Sequence, residues 1–378
     1  MNTSYFSNGE STETIISTFI GSSEHPFYII DLSSVTEQYT RWKAHLPRVK
    51  PHYAVKCNPD PRILKLLAKL GCNFDCASKN EMDAVTSIQV NPSRIIFSNP
   101  CKQKSHIDHA LASKIHRMTF DSISELAKIS PNSDAQLIIR IRVDDSQSTC
   151  QLGSKFGCSL TELDDIYAFA KKAKYKLTGV NFHVGSNCRD PETYRKAIKD
   201  ARLAFDKAKE YGFQFDTLDI GGGFPSDLGT FANIAQTVKC ALDTNFKDTS
   251  INVIAEPGRY LVEKSHVLVV SVMTVKSDRR YYINEGIYGS FNCVHFDHAY
   301  PVFVPYTLKS DSLLYKKSNV FGPTCDSMDV LGDSYLLPDL SVGDRLYVEN
   351  FGAYTCAASS NFNGFSPPTR YYIIKTSI

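Results

Sequence analysis

Four short stretches hold residue types that could do chemistry together. Lys56 follows the apolar run of PHYAVKCN, and Gly221, Gly222 and Gly223 stand together in DIGGGFP. Glu256, Gly258 and Arg259 adjoin in AEPGRY, and His183 precedes Ser186 in FHVGS. A lysine at the mouth of an apolar strand is desolvated, which lowers its pKa and frees the amine to form an imine with an aldehyde. Consecutive glycines expose backbone N–H groups that can cradle a phosphate, and a guanidinium suits the same anion. Singly these signals are weak: a strand-end lysine is usually a surface residue, and a glycine run is usually a turn. Jointly they fit a phosphorylated aldehyde. Pyridoxal phosphate needs a lysine for the imine, a phosphate cradle and a group that tunes its ring nitrogen.

Such residues need a scaffold that brings strand ends together. Eight β-branched or aromatic runs supply one, at 52–56, 73–78, 94–98, 117–121, 137–143, 177–184, 217–223 and 251–256. Helical periods separate them. In the helix after Asp190–Pro191, a cap and first-turn pair, Ala197, Ala201, Ala204 and Phe205 share one face and Gly212 supplies the stop. Eight βα units in series predict an α/β fold with a closed (β/α)8 barrel, whose active site lies at the C-terminal ends of the strands. A doubly wound sheet is the alternative. After Val262 the pattern turns to strands and turns, which predicts a mainly β C-terminal domain. The expected division is an N-terminal segment over 1–28 packing with the β domain, a cofactor-binding barrel over 29–263, and the β domain over 264–378. Within the first segment Ile15, Ile16, Phe19 and Ile20 share one helical face.

The chain of 378 residues is long enough for both domains. Its 42 Lys and Arg against 40 Asp and Glu leave +2, so no overall field favours nucleic acid or an anionic membrane. The 11 cysteines show no paired CxxC spacing, so no metal site is expected, and their scatter suits a reducing, cytoplasmic setting. The N-terminus lacks the pattern of a secretory signal, and no apolar run is long enough to span a bilayer.

PHYAVKCN, FDCAS, FHVGS, DIGGGFP, AEPGRY, YGSFN, FGPTCDSMD and the ENFGAYT-to-FNGF stretch occur in the order and spacing of one family. From about Pro26 to Tyr372 the chain resembles the eukaryotic-type ornithine decarboxylases, fold-type III pyridoxal-phosphate enzymes with an alanine-racemase-type barrel and a β domain. The resemblance implies that Lys56 carries the cofactor as an imine and that Glu256 keeps the pyridine nitrogen protonated. His183 would stack on the ring, and Ser186, Gly222, Gly223, Gly258, Arg259 and Tyr354 would hold the phosphate. Asp75 and Arg140 would support ring and lysine, with Glu81 behind them.

The same resemblance implies a homodimer with shared active sites. Cys325, from the second subunit, would return a proton to the substrate's α-carbon; a thiol titrates near working pH. Asp326 from that subunit and Asp297 from the first would bind the distal ammonium of a small basic amino acid. Tyr288 and Phe362 would line the site, and Lys155 and Asp329 would pair across the interface. Ser327 departs from the family, standing where glycine is common. The C-terminal extension that serves vertebrate members as a degradation signal is not expected here. An antizyme-like regulator is left open, with 106–122 at the corresponding place.

The expected activity is decarboxylation of L-ornithine to putrescine. Diaminopimelate and carboxynorspermidine decarboxylases typically carry glutamate after the active-site cysteine, where this chain has Asp326. The viral arginine decarboxylases resemble it more closely, but have glutamate at the position of Asp297. Lysine remains plausible as a side substrate, because one methylene changes pocket affinity by only about 1–3 kcal/mol. A non-catalytic binding protein of the antizyme-inhibitor type is disfavoured by retention of Lys56, Asp75, Arg140 and Cys325, and a racemase by Glu256 at the ring nitrogen.

Overall fold

In the computed structural model, which describes residues 3–21, 24–306 and 314–376, the chain forms two compact units, 38–261 and 1–37 with 262–378.

All eight expected runs form strands of the first unit. Val49–Ala54, Asn73–Cys76, Ile95–Phe97, Arg117–Phe120, Gln136–Arg140, Leu177–Asn181, Thr217–Asp219 and Asn252–Ala255 pair in parallel, each with the next, and the last pairs with the first. Ile96, Ile138 and Ile254 form a fully buried group within the barrel; each contributes about 1.5–3 kcal/mol by leaving water. Toward the strand ends the residues turn polar. Asp75 lies opposite Ala54 of the first strand, and Asn181 lies opposite both Arg140 and Asp219.

The covering helices start and stop where side chains dictate. Asp60 caps Pro61–Leu70 and Gly71 ends it at φ 90°. Asp190 caps Pro191–Glu210, which buries Ala197, Ala201, Ala204 and Phe205, and Gly212 follows at φ 81°. The indole of buried Trp42 donates to the Val49 carbonyl at 3.0 Å and packs among Phe224, Phe231 and Tyr260. Residues 106–122 fall on the helix Lys104–Ala112 and the fourth barrel strand.

The second unit is built on the 11-residue strand His266–Lys276, which pairs with Phe27–Asp31, Arg345–Val348 and Arg280–Ile283. Thr369–Thr376 lies between Phe27–Asp31 and Thr3–Ser7, parallel to both. Ile15 and Ile16 of the helix Thr12–Phe19 join Phe27, Val269 and Ile373 in the core. At the other end, Lys316–Phe321 and Val330–Leu337 form a hairpin. Among the described residues no helix is long and apolar enough to cross a membrane, and no cluster of His, Cys, Asp or Glu is placed to hold a metal.

Candidate active site

The first strand ends at Ala54, two residues earlier than its apolar pattern suggests. Val55–Cys57 is a 3-10 turn, with Val55 and Cys57 fully buried and Lys56 turned outward between them. The Lys56 ammonium lies 2.7 Å from Asp75 Oδ2; the lysine side chain is 45 % exposed and the aspartate fully buried. The amine is therefore held by a countercharge, where the sequence suggested desolvation. Asp75 Oδ1 is buried without a hydrogen-bond partner. Behind the pair, Glu81 accepts from the Ala77 amide at 2.6 Å, and burial raises its pKa.

Glu256 sits just past the eighth strand and is buried. Its carboxyl accepts a hydrogen bond from Ser98, which follows the third strand. Burial pushes its pKa well up, nearby Asp219 and Asp75 add to the rise, and Lys56 opposes it. Asp219 is raised for the same leading reason; its Oδ1 accepts from the Gly221 amide at 2.9 Å and so shapes the glycine turn. Arg140, at the end of the fifth strand, is buried, and desolvation lowers its pKa against the pull of Glu256, Asp121, Asp219 and Asp75.

His183 Nδ1 lies 3.0 Å from the Gly185 amide nitrogen. Desolvation, with Arg140 and Lys56 adding repulsion, drives its pKa well down, so the imidazole is neutral and presents a flat face. Gly222 passes close beneath it: a Cβ there would stand 2.8 Å from His183 Nε2 and 2.7 Å from the Glu256 carbonyl oxygen. Gly223 has φ 96°, so only glycine fits without strain. Ser186 is placed by a short ribbon, Ser148–Cys150 against Ser186–Cys188, and its hydroxyl accepts from the Arg259 guanidinium at 3.2 Å. Gly258 is buried directly before Arg259.

A second group gathers in the other unit. The Tyr288 hydroxyl donates to Asp326, and the rings of Tyr288 and Phe362 stand 4.4 Å apart. Cys325 lies exposed on the hairpin tip, its amide donating to Asn363 Oδ1 at 2.9 Å. Asp297 is buried after the short helix Cys293–Phe296, its amide donating to Cys293 O at 3.0 Å. Tyr354 takes a left-handed φ of 55°. Buried Asp329 accepts from its own unit, from the Ile287 and Thr324 amides and the Thr324 hydroxyl.

Ser98 and Asp219 were missed by motif reading. Ser98 was legible as the polar residue closing an apolar strand run, and Asp219 as the acid that opens DIGGGFP. The donor set on the barrel fits pyridoxal phosphate. It offers a reachable amine beside an unsatisfied carboxylate oxygen, a neutral imidazole, a buried acid, and a glycine turn next to an arginine–serine pair.

Comparison with known proteins agrees. Residues 32–263 match the pyridoxal-binding domain of the pyridoxal-dependent decarboxylases. The ornithine decarboxylase of Schizosaccharomyces pombe is 45 % identical over 365 residues, 92 % of this chain and 83 % of the relative. Antizyme inhibitor 2 of Xenopus laevis is 44 % identical over 366 residues, 92 % of this chain and 80 % of the relative. The crystal structure of Paramecium bursaria Chlorella virus arginine decarboxylase bound to agmatine superposes with a TM-score of 0.92 at 36 % identity, covering 96 % of this chain and all of that one. With this fold, this donor set and these relatives, the chain belongs to the pyridoxal-dependent amino-acid decarboxylases, and its cofactor is pyridoxal phosphate.

Proposed function

We propose that the chain converts L-ornithine to putrescine and CO2. The observation that carries the substrate choice is Asp326, an aspartate held in place by the Tyr288 hydroxyl on the segment that bears Cys325. With Asp297 it gives two short carboxylates for one distal ammonium, which rejects neutral side chains. The ornithine decarboxylases among the relatives support the same choice.

In this reading the bound cofactor supplies an electron-withdrawing ring that stabilises negative charge at the α-carbon once CO2 has left. Lys56 holds the cofactor through its amine, and Asp75 orients that amine by accepting a hydrogen bond from it. Glu256 keeps a proton on the ring nitrogen, with Ser98 fixing its carboxyl. The neutral His183 covers one ring face, while Arg259, Ser186 and the glycine turn bind the phosphate with Gly258 and Tyr354. Cys325, reaching across a homodimer interface, donates the proton that replaces the carboxylate. Free thiols at all 11 cysteines suit a reducing, cytoplasmic compartment.

The test is CO2 release from L-ornithine, L-arginine and L-lysine in parallel, with pyridoxal phosphate and a reductant. Preference for ornithine is expected, and preference for arginine would overturn the two-aspartate reading. Similarity to antizyme inhibitor 2 makes a binding protein the second reading. Release from none of the three would favour it.

A further inference from the structure

We propose that Asp329 is a positioning residue for the proton donor, its buried carboxylate latching the hairpin tip that carries Cys325 and Asp326 to the turn that carries Tyr288. The inference rests on the reading of Cys325 as that donor.

Asp329 is 2 % exposed. Its Oδ1 accepts from the Ile287 amide at 2.9 Å, one residue before Tyr288. Its Oδ2 accepts from the Thr324 amide at 2.9 Å and from the Thr324 hydroxyl at 2.7 Å, one residue before Cys325. The backbone closes the same tip, with Asp329 N donating to Asp326 O at 3.1 Å and Gly322 N donating to Asp329 O at 2.9 Å. The carboxylate fits between Gly286 and Gly322, where a Cβ on either would overlap it.

The segments so joined are those whose side chains meet. Tyr288 donates to Asp326 on one side of the tip, and the Cys325 amide donates to Asn363 on the other. Without the latch, the exposed tip bearing Cys325 and Asp326 is left to these two bonds and its own turn. Charge-assisted hydrogen bonds to a buried carboxylate are stronger than neutral ones and set direction as well as distance. Three of the roughly four acceptor positions of the carboxylate are filled within the chain. The remaining position leaves room for the lysine that family resemblance implies across a subunit interface.

A displaced donor leaves a chemical trace. If the proton reaches the cofactor's aldehyde carbon instead of the α-carbon, the substrate's amine stays on the cofactor. Ornithine and the cofactor aldehyde then become CO2, 4-aminobutanal and the cofactor's amine form. The cofactor carbon is reduced as the substrate carbon is oxidised, with no net water and no outside reductant.

The experiment compares wild type, Asp329→Asn, Thr324→Val and Cys325→Ala as holoenzymes. It reads aldehyde per CO2, and amide hydrogen exchange over 284–290 and 322–330. Asp329→Asn sets an amide N–H2 against backbone donors. It should raise the aldehyde fraction about tenfold or more and speed exchange in those two segments alone. Thr324→Val, which removes one of the three bonds, should act in the same direction and less. A wild-type aldehyde fraction in Asp329→Asn, or unchanged exchange at 322–330, overturns the latch. Faster exchange throughout the β unit overturns it too, because that marks a general structural role. If Cys325→Ala gives no more aldehyde than wild type, the reading of Cys325 falls, and local exchange alone decides the latch.

Discussion

The Ser98 hydroxyl donates to the Glu256 carboxyl, tying the end of the third barrel strand to the end of the eighth. This bond joins the ends of two strands that are not neighbours in the barrel. Asp219 is hydrogen-bonded to the same carboxyl, so Glu256 is fixed from two sides. Glu256→Gln keeps an acceptor for the Ser98 hydroxyl and removes the ionisable carboxyl. It should lower kcat roughly 100-fold while retaining the cofactor. Steady-state kinetics beside the cofactor's absorbance spectrum checks both halves.

Lys56→Ala should abolish the absorbance band of the amine-bound cofactor and nearly all turnover. Asp75→Asn keeps the amine but removes its countercharge. It should bind cofactor more weakly and slow its capture, read as the rate at which the band grows after cofactor is added.

The proposed sharing of sites between two subunits has a numerical signature. Lys56→Ala and Cys325→Ala proteins, each inactive or misdirected alone, should recover about a quarter of wild-type turnover when mixed and allowed to exchange. Half the dimers are then mixed, and each has one intact site. No recovery under conditions of proven exchange would place both residues in one subunit's site.

Gly222→Ala puts a methyl 2.7 Å from the Glu256 carbonyl oxygen and 2.8 Å from the His183 ring. It should cost about 1–3 kcal/mol of stability and weaken cofactor binding, both measurable from thermal unfolding with and without pyridoxal phosphate.

Glu285, buried in the turn before Tyr288, accepts from the Ser290 amide, and burial raises its pKa from 4.5 to about 7. A carboxyl with a raised folded-state pKa stabilises the fold fully below its unfolded pKa. That contribution fades as pH rises through the folded value. Stability should therefore fall between about pH 4.5 and 7, by about 3 kcal/mol from this group. Glu285→Gln should flatten that fall, visible as a smaller drop in Tm between the two ends of the window.

Much of this was legible from residues alone. The eight strand runs all fold as strands, because β-branched alternation between capped helices leaves few other choices. The motif residues of the barrel converge because a closed parallel barrel brings every strand end to one face. What escaped has physical reasons. The turn at Lys56 breaks the strand because Val55 and Cys57 both enter the core, which no period reveals. The ribbon that places Ser186 is three residues a side, too short for a pattern. The partnership of Ser98 with Glu256 spans 158 residues and exists only once the barrel closes. The bonds to Asp329 within its own unit were hidden too, because nothing in FGPTCDSMD reveals that two glycines and a threonine enclose it.

The parallel pairing of Thr3–Ser7 with Thr369–Thr376 also dictates an order of events on the ribosome. Tyr5 lies opposite Ile374, so the first strand waits for nearly the whole chain to be made, roughly 20–70 s at ordinary elongation rates. The intervening barrel, continuous from 38 to 261, can close during that wait. Until the last strand emerges, the apolar face of Ile15 and Ile16 has no complete core to enter. The β unit is thus the late-maturing part of the nascent chain.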